Sequence, residues 1–211
     1  MRDFKELNDW ETVIFVYQSA LKQVETKIDI LNGEFQHRHK YNPIEHVKSR
    51  IKTPESIVKK LKRHGYESNI ENMVRYVNDI AGIRISCSFT SDIYLIADMI
   101  SKQNDLTILA RRDYMKNPKK SGYRSYHMLV TTPVFLSDSI IDTKVEIQIR
   151  TVAQDFWATL EHKMHYKFEG DGPDYITKEL RECARYVAEL DTRMEELNNE
   201  IQKYGKLSDK K

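Results

Sequence analysis

The chain has 211 residues and a formal net charge of only +2, from 34 Lys+Arg against 32 Asp+Glu, a length that suits one domain. At 40% hydrophobic and 31% charged residues it can build a core and is too apolar for a disordered chain. Its longest apolar runs are five residues, as in Val13 to Tyr17, far short of the ~20 that cross a bilayer. The chain does not open on a signal-peptide pattern, and the isolated Cys87 and Cys183 exclude a disulfide framework or structural zinc site; a cytoplasmic protein without a membrane segment is expected.

Residues 6–34 read as one long amphipathic helix. Trp10, Ile14, Tyr17, Leu21, Val24, Ile28 and Leu31 follow three- and four-residue steps, and Asn32-Gly33 supplies a stop. A linker then leads to Thr53-Pro54-Glu55, which opens a second helix with Thr at the N-cap, Pro at its first position and Gly65 just past its end. Asn69 to Asn78 predicts a short helix, and the β-branched alternation of Ile83 to Phe89 predicts a strand. A helix from about Asp92 to Gln103 and a strand from Leu106 to Arg112 follow. Met115 to Gly122, with Pro118 inside it, reads as a mobile basic loop.

Strands near Tyr123–Thr132 and Thr143–Ile149 come next, and helix takes over to the end. Leu180, Val187, Met194 and Ile201 are seven apart, with Cys183, Leu190, Leu197 and Tyr204 three after each. Such a seam wants a partner helix, either helix 6–34 or another copy of the chain. The expected organisation is a single domain over 1–211: an N-terminal helix to residue 40, a core over 41–170, a C-terminal helix over 171–204 and a frayed tail over 205–211. The expected class is α/β or α+β, a sheet flanked by helices.

Charge is unevenly placed. From Lys48 to Arg63 stand Lys48, Arg50, Lys52, Lys59, Lys60, Lys62 and Arg63 against Glu55 alone. From Ala110 to Arg124 stand Arg111, Arg112, Lys116, Lys119, Lys120 and Arg124 against Asp113 alone. Two basic islands in an otherwise acidic chain suggest a focused polyanion site, although charge runs are commonly just solvated faces. On Thr143–Ile149 the alternation puts Val145, Ile147 and Ile149 on one face and Lys144, Glu146, Gln148 and Arg150 on the other. Singly, Asp79 could be a capping carboxylate and Glu146 a solvated strand residue. Together with the basic islands they suit a Mg²⁺–nucleotide site, because Mg²⁺ takes one or two carboxylates plus phosphate oxygens.

Four motifs stand in order: Arg50-Ile51-Lys52-Thr53-Pro54-Glu55-Ser56-Ile57, Asp79-Ile80-Ala81-Gly82-Ile83-Arg84, Gly122-Tyr123-Arg124-Ser125-Tyr126-His127 and Glu146-Ile147-Gln148-Ile149-Arg150-Thr151. Over roughly residues 40–195 the chain resembles the synthetase domain of the RelA/SpoT family, in the form of a small alarmone synthetase. The resemblance implies a mixed sheet like that of the nucleotidyltransferase superfamily and a homotetramer. It also implies transfer of the β,γ-pyrophosphate of ATP to the 3′-hydroxyl of GDP or GTP, giving ppGpp or pppGpp.

On that resemblance Arg50 and Arg84 sandwich the adenine, while Lys52, Ser56, Lys60 and Arg63 hold the ATP phosphates. Asp79 is the principal Mg²⁺ ligand, and Glu146 is the second ligand or the general base. Arg112, Lys119, Tyr123, His127, Gln148, Arg150 and Asp155 fall to the GDP/GTP side: Tyr123 stacks on guanine, and His127 and Lys119 lie near the acceptor's phosphates. Asp155 replaces an Asn of some relatives and could accept from guanine N1–H and N2–H₂. No His-Asp dipeptide occurs, so the metal motif of the family's hydrolase domain is missing and a synthetase without hydrolase activity is expected. The competing readings are a nucleotidyltransferase on the same fold, which would favour a closely spaced acidic pair for two metals, and a non-catalytic nucleotide- or RNA-binding regulator, which would not need both carboxylates.

Overall fold

A computed structural model describes residues 9–39, 41–167 and 173–208; the predicted helix start at 6–8 and the end of the tail, 209–211, lie outside them. In chain order the elements are α1 (Trp10–His39), β1 (Ile44–Ile51), α2 (Pro54–Arg63), α3 (Ile70–Tyr76), β2 (Ala81–Cys87), α4 (Thr90–Ser101), β3 (Thr107–Asp113), β4 (Tyr126–Phe135), β5 (Ile140–Thr151), α5 (Val152–Lys167) and α6 (Asp174–Ser208). The strands form one mixed sheet in the order β1-β2-β5-β4-β3, with β2 and β5 parallel and the other neighbours antiparallel.

The two faces of the sheet differ in kind. Ile83 and Ile85 of β2 and Val145, Ile147 and Ile149 of β5 are fully buried, and α1 and α4 pack onto the sheet. From α1 come Val13, Val16, Tyr17, Ala20, Leu21, Val24 and Ile28, all buried at helical spacing. From α4 come Ile93, Ile96, Ala97 and Ile100. Each Val, Leu or Ile among them contributes about 1.5–3 kcal/mol on burial, so this face holds the fold together. Its stability leaves the opposite face, with Arg84, Glu146, Gln148 and Arg150, free to carry charge.

Four expectations change. Helix α1 does not stop at Asn32-Gly33 but continues to His39. Beyond the glycine an Arg38–Glu34 ion pair at i,i+4 (3.0 Å) and contacts of Phe35 with His39 and Tyr41 support the extra turns. Residues 44–51, read as linker, form β1, an exposed edge strand whose sequence IEHVKSRI has almost no apolar alternation. Pairing with β2, Lys48 opposite Arg84 and Arg50 opposite Gly82, supplies what local propensity does not.

The segment 115–122 is a fastened set of turns in place of the mobile loop expected. Arg124 donates to the Met115 carbonyl (2.7 Å), Lys119 N to Tyr123 O (3.1 Å) and Gly122 N to Lys119 O (2.8 Å). Gly122 has φ 92°, and a Cβ there would stand 2.5 Å from that of Ala184 on α6. Both the backbone conformation and the close approach require glycine. Finally, the heptad seam does not use α1 as its main partner. Helix α6 lies against α5 and α4, with Ala184 buried beside Trp157, whose indole N–H donates to the Leu180 carbonyl (2.9 Å). Leu190, Met194, Leu197, Ile201 and Tyr204 remain exposed, Ile201 at 67%.

Candidate active site

A cavity of about 200 Å³ opens on the polar face, lined by Lys48, Ser49, Arg50, Asp79, Gly82, Ile83, Arg84, Glu146 and Gln148. Three neighbouring strands supply it: β1 gives the basic edge, β2 Gly82 and Arg84, and β5 Glu146 and Gln148. The parallel register sets Gly82 beside Glu146 and Arg84 beside Gln148. Gly82, without a side chain, leaves the space between them open.

Asp79 sits in the turn leading into β2. Its two oxygens accept from the ammonium groups of Lys52 and Lys60, each at 2.7 Å. Burial alone would raise the Asp79 carboxyl, but the two lysine hydrogen bonds outweigh it and hold it below the ordinary value. Lys52 directly follows β1, where its N–H donates to the Ile80 carbonyl (2.8 Å), and Lys60 is placed by α2. The Thr53 hydroxyl accepts from Ser56 N at its N-cap, Pro54 opens it, and Ile57 and Leu61 anchor it in the core, which turns Lys60 toward the cavity. Ser56 and Arg63 are exposed and outside the cavity wall. Lys144, which the sequence placed on the polar face without a role, steadies Asp79: its Nζ donates to the carbonyls of Val74 and Arg75 and to Asn78 Oδ1 (3.0–3.3 Å), tying the end of α3 and the turn before Asp79 to β5.

Glu146 accepts from Gln148 Nε2 (2.8 Å) and faces His127 Nδ1 at 3.6 Å. Burial pushes its carboxyl up, and His127 and Gln148 more than reverse this, so it too lies below the usual range. His127 Nε2 and the Tyr123 hydroxyl are 2.9 Å apart. Tyr114, which the sequence did not single out, stands edge-on to both rings. Lys119 Nζ lies over the rings of Tyr114 and Tyr123 at 4.9 and 4.7 Å. Burial raises the Tyr123 phenol. Arg112 is exposed on β3, opposite His127 in the ladder.

Arg150 is 2% exposed, and burial works against its charge. Its Nε lies 3.1 Å from Asp155 Oδ1, and Arg84 Nη1 approaches the same oxygen at 3.4 Å. Neither Arg150 Nε nor Asp155 Oδ1 makes an aligned hydrogen bond, although both are buried. Asp155 is thus engaged as counter-charge to two arginines, a role that its expected place at the guanine edge does not include. The Arg150 guanidinium lies 5.8 Å from the Tyr123 ring centre, so Arg84, Asp155, Arg150 and Tyr123 form one chain of contacts across the site.

Two carboxylates and the cations around them in one cavity, with a cluster of aromatic rings next to it beyond His127, fit a nucleotide polyphosphate, and the order of these residues in the chain fits one lineage. The profile described as "Region found in RelA / SpoT proteins" matches residues 49–171. The chain belongs to the RelA/SpoT family. It is 45% identical over 202 residues to "GTP pyrophosphokinase YwaC" of Bacillus subtilis, covering 95% of this chain and 96% of that one. The crystal structure of small alarmone synthetase 2 from Bacillus subtilis superposes with a TM-score of 0.84 at 44% identity, covering 92% of this chain and all of that one (100%). Small alarmone synthetase 1 from the same organism, bound to its product pppGpp, superposes with a TM-score of 0.85 at 34% identity, covering 92% and 98%. The family match spans every residue of the cavity except Lys48.

Proposed function

We propose that the protein is a (p)ppGpp synthetase that transfers the β,γ-pyrophosphate of ATP to the 3′-hydroxyl of GDP or GTP, without hydrolase activity. The observation that carries this reading is the convergence of Asp79 and Glu146, 67 positions apart in sequence, on one cavity walled by Arg50 and Arg84. Both relatives named for an activity or a product belong to this reaction class.

Arg50 and Arg84, on adjacent strands, hold the adenine between planar guanidinium groups. Lys52 and Lys60 move from Asp79 to the phosphates, which carry more charge than one carboxylate. Tyr123 stacks on guanine, with Lys119, Arg112 and His127 toward the acceptor's phosphates and Gln148, Arg150 and Asp155 behind it. Glu146, kept ionised by its donors, takes the 3′-hydroxyl proton. The freed oxygen bonds to the β-phosphorus as the bond to the α-phosphate oxygen breaks, so AMP leaves. Asp79 and Glu146 suit Mg²⁺, since two carboxylates facing a phosphate site are its usual protein share; bound there, it would neutralise charge on the transferred group. We place the enzyme in the cytoplasm as a homotetramer, with the exposed α6 seam as one contact surface. Incubation with labelled ATP, GDP or GTP and Mg²⁺ tests the reading: a guanosine 3′-diphosphate product is expected, and hydrolysis of ATP without that product would overturn it.

A further inference from the structure

We propose that Asp191, on α6, is a positioning residue for the acceptor nucleotide; the inference rests on the synthetase reading and extends it to a residue outside the cleft. Asp191 Oδ2 accepts from Thr151 Oγ1 and from Gln154 Nε2, both at 2.8 Å. These two residues also bind each other reciprocally. Thr151 N donates to Gln154 Oε1 (3.2 Å), and Gln154 N donates to Thr151 Oγ1 (3.1 Å). The result is a closed capping box at the first turn of α5, in which the side-chain acceptors are spent on backbone N–H groups and the side-chain donors converge on a single oxygen of another helix.

The box stands between the two acceptor-side residues. Arg150 precedes Thr151, and Asp155 follows Gln154. Thr151 and Gln154 are 1% and 4% exposed, so losing the Asp191 oxygen would take from a buried hydroxyl and a buried amide the one acceptor that they share. The first turn of α5 would then relax, and with it the spacing of Arg150, Asp155 and Tyr123. Sites held to fractions of an ångström lose affinity or rate when such a support is removed. The donor side, built on β1, α2 and the turn before β2, has no bond to Asp191 and meets the α5 turn only through the longer Arg84–Asp155 contact (3.4 Å), so it should register the change far less.

Helix α6 has a second anchor one turn further on, where Glu195 accepts from Ser91 N (3.2 Å) at the start of α4. This separates positioning from simple attachment of the helix. The experiment measures KM and kcat for GDP and for ATP in the full-length wild type and in Asp191→Ala, Asp191→Asn, Thr151→Val and Glu195→Ala. Asp191→Ala should raise KM for GDP by about tenfold and change KM for ATP by less than about twofold. Asp191→Asn keeps an oxygen in place and should restore GDP affinity. Thr151→Val changes no residue of α6 but removes both the bond to Asp191 and the cap on Gln154 N; it should give an acceptor-selective loss at least as large, and it decides whether the α5 turn positions the acceptor if Asp191→Ala does not fold. Glu195→Ala should leave both substrates unchanged. An unchanged KM for GDP in the Asp191→Ala or Thr151→Val enzyme, equal losses for ATP and GDP, or the same GDP loss in Glu195→Ala would overturn the proposal. A wild type without product would defeat the synthetase reading itself, so the two failures are distinct.

Discussion

On the side of the cleft proposed to take ATP, Arg50, Lys52, Lys60, Asp79 and Arg84 come from a single stretch, residues 50–84. Long side chains span the gap, and Lys52 and Lys60 share the Asp79 carboxylate. On the side proposed to take GDP or GTP, Tyr123, His127, Arg150 and Asp155 arrive from a turn, two strands and a helix, and Arg150 is buried. The donor half is assembled locally and is adjustable; the acceptor half is assembled from distant segments and held in advance. Flexible cations suit a triphosphate that must be gripped and drawn into line, whereas a guanine presented for attack through its ribose needs a fixed platform.

The largest effect should come where the halves meet. Asp79→Asn and Glu146→Gln should each lower kcat about a hundredfold or more while leaving the fold intact, checked by turnover at saturating substrate alongside thermal unfolding. Next in size, Tyr123→Ala should weaken GDP and IDP alike by about tenfold, since stacking contributes about 1–3 kcal/mol and does not depend on the base edge. Asp155→Ala sharpens the comparison. It removes the counter-charge shared by Arg84 and Arg150, so KM should rise for ATP as well as for GDP; a change confined to the preference for GDP over IDP would mean that the carboxylate serves the guanine edge alone.

A smaller effect is expected at Gly122. Gly122→Ala forces a Cβ against Ala184 at positive φ and should cost about 1–3 kcal/mol in thermal unfolding. The smallest concerns pH, where the cavity carboxylates and those on the framework shift in opposite directions. Asp79 and Glu146 are held below their ordinary 3.8 and 4.5, so the stability they contribute is present above those values and is lost as pH falls through the folded ones. Asp92 and Asp191 are raised above 3.8, first by burial. Their contribution is fully present below that value and is lost as pH rises through the folded ones. Asp92→Asn and Asp191→Asn should therefore flatten the decline of melting temperature on going from about pH 4 upward, whereas Asp79→Asn should flatten the decline on going below it.

How much of this was legible in the sequence follows the same division. Arg84, Glu146 and Gln148 could be read from the alternation of their strands, because a polar face on an otherwise apolar strand has few other uses; Asp79, in the turn before β2, could be read only from its place in the family's motif. Helix α2 could be read from Thr53-Pro54 and Gly65, which act within a few residues. Strand β1 could not, since its Lys48, Ser49 and Arg50 are exposed and only β2 makes them a strand. The fastening of 115–122 onto α6 and the closure of Thr151 and Gln154 by Asp191 depend on contacts between segments about 35–70 residues apart, which no local period encodes. The approach of Arg84 to Asp155 was hidden for the same reason.

The most direct test of the whole account is to incubate the purified protein with ATP labelled in its β- and γ-phosphates, unlabelled GDP and Mg²⁺, and to follow the label. The account predicts that both labelled phosphates appear together on the guanosine 3′ position with AMP released in equal amount, and that Glu146→Gln stops this. Label released as free pyrophosphate, with adenylate left on the acceptor, would contradict it.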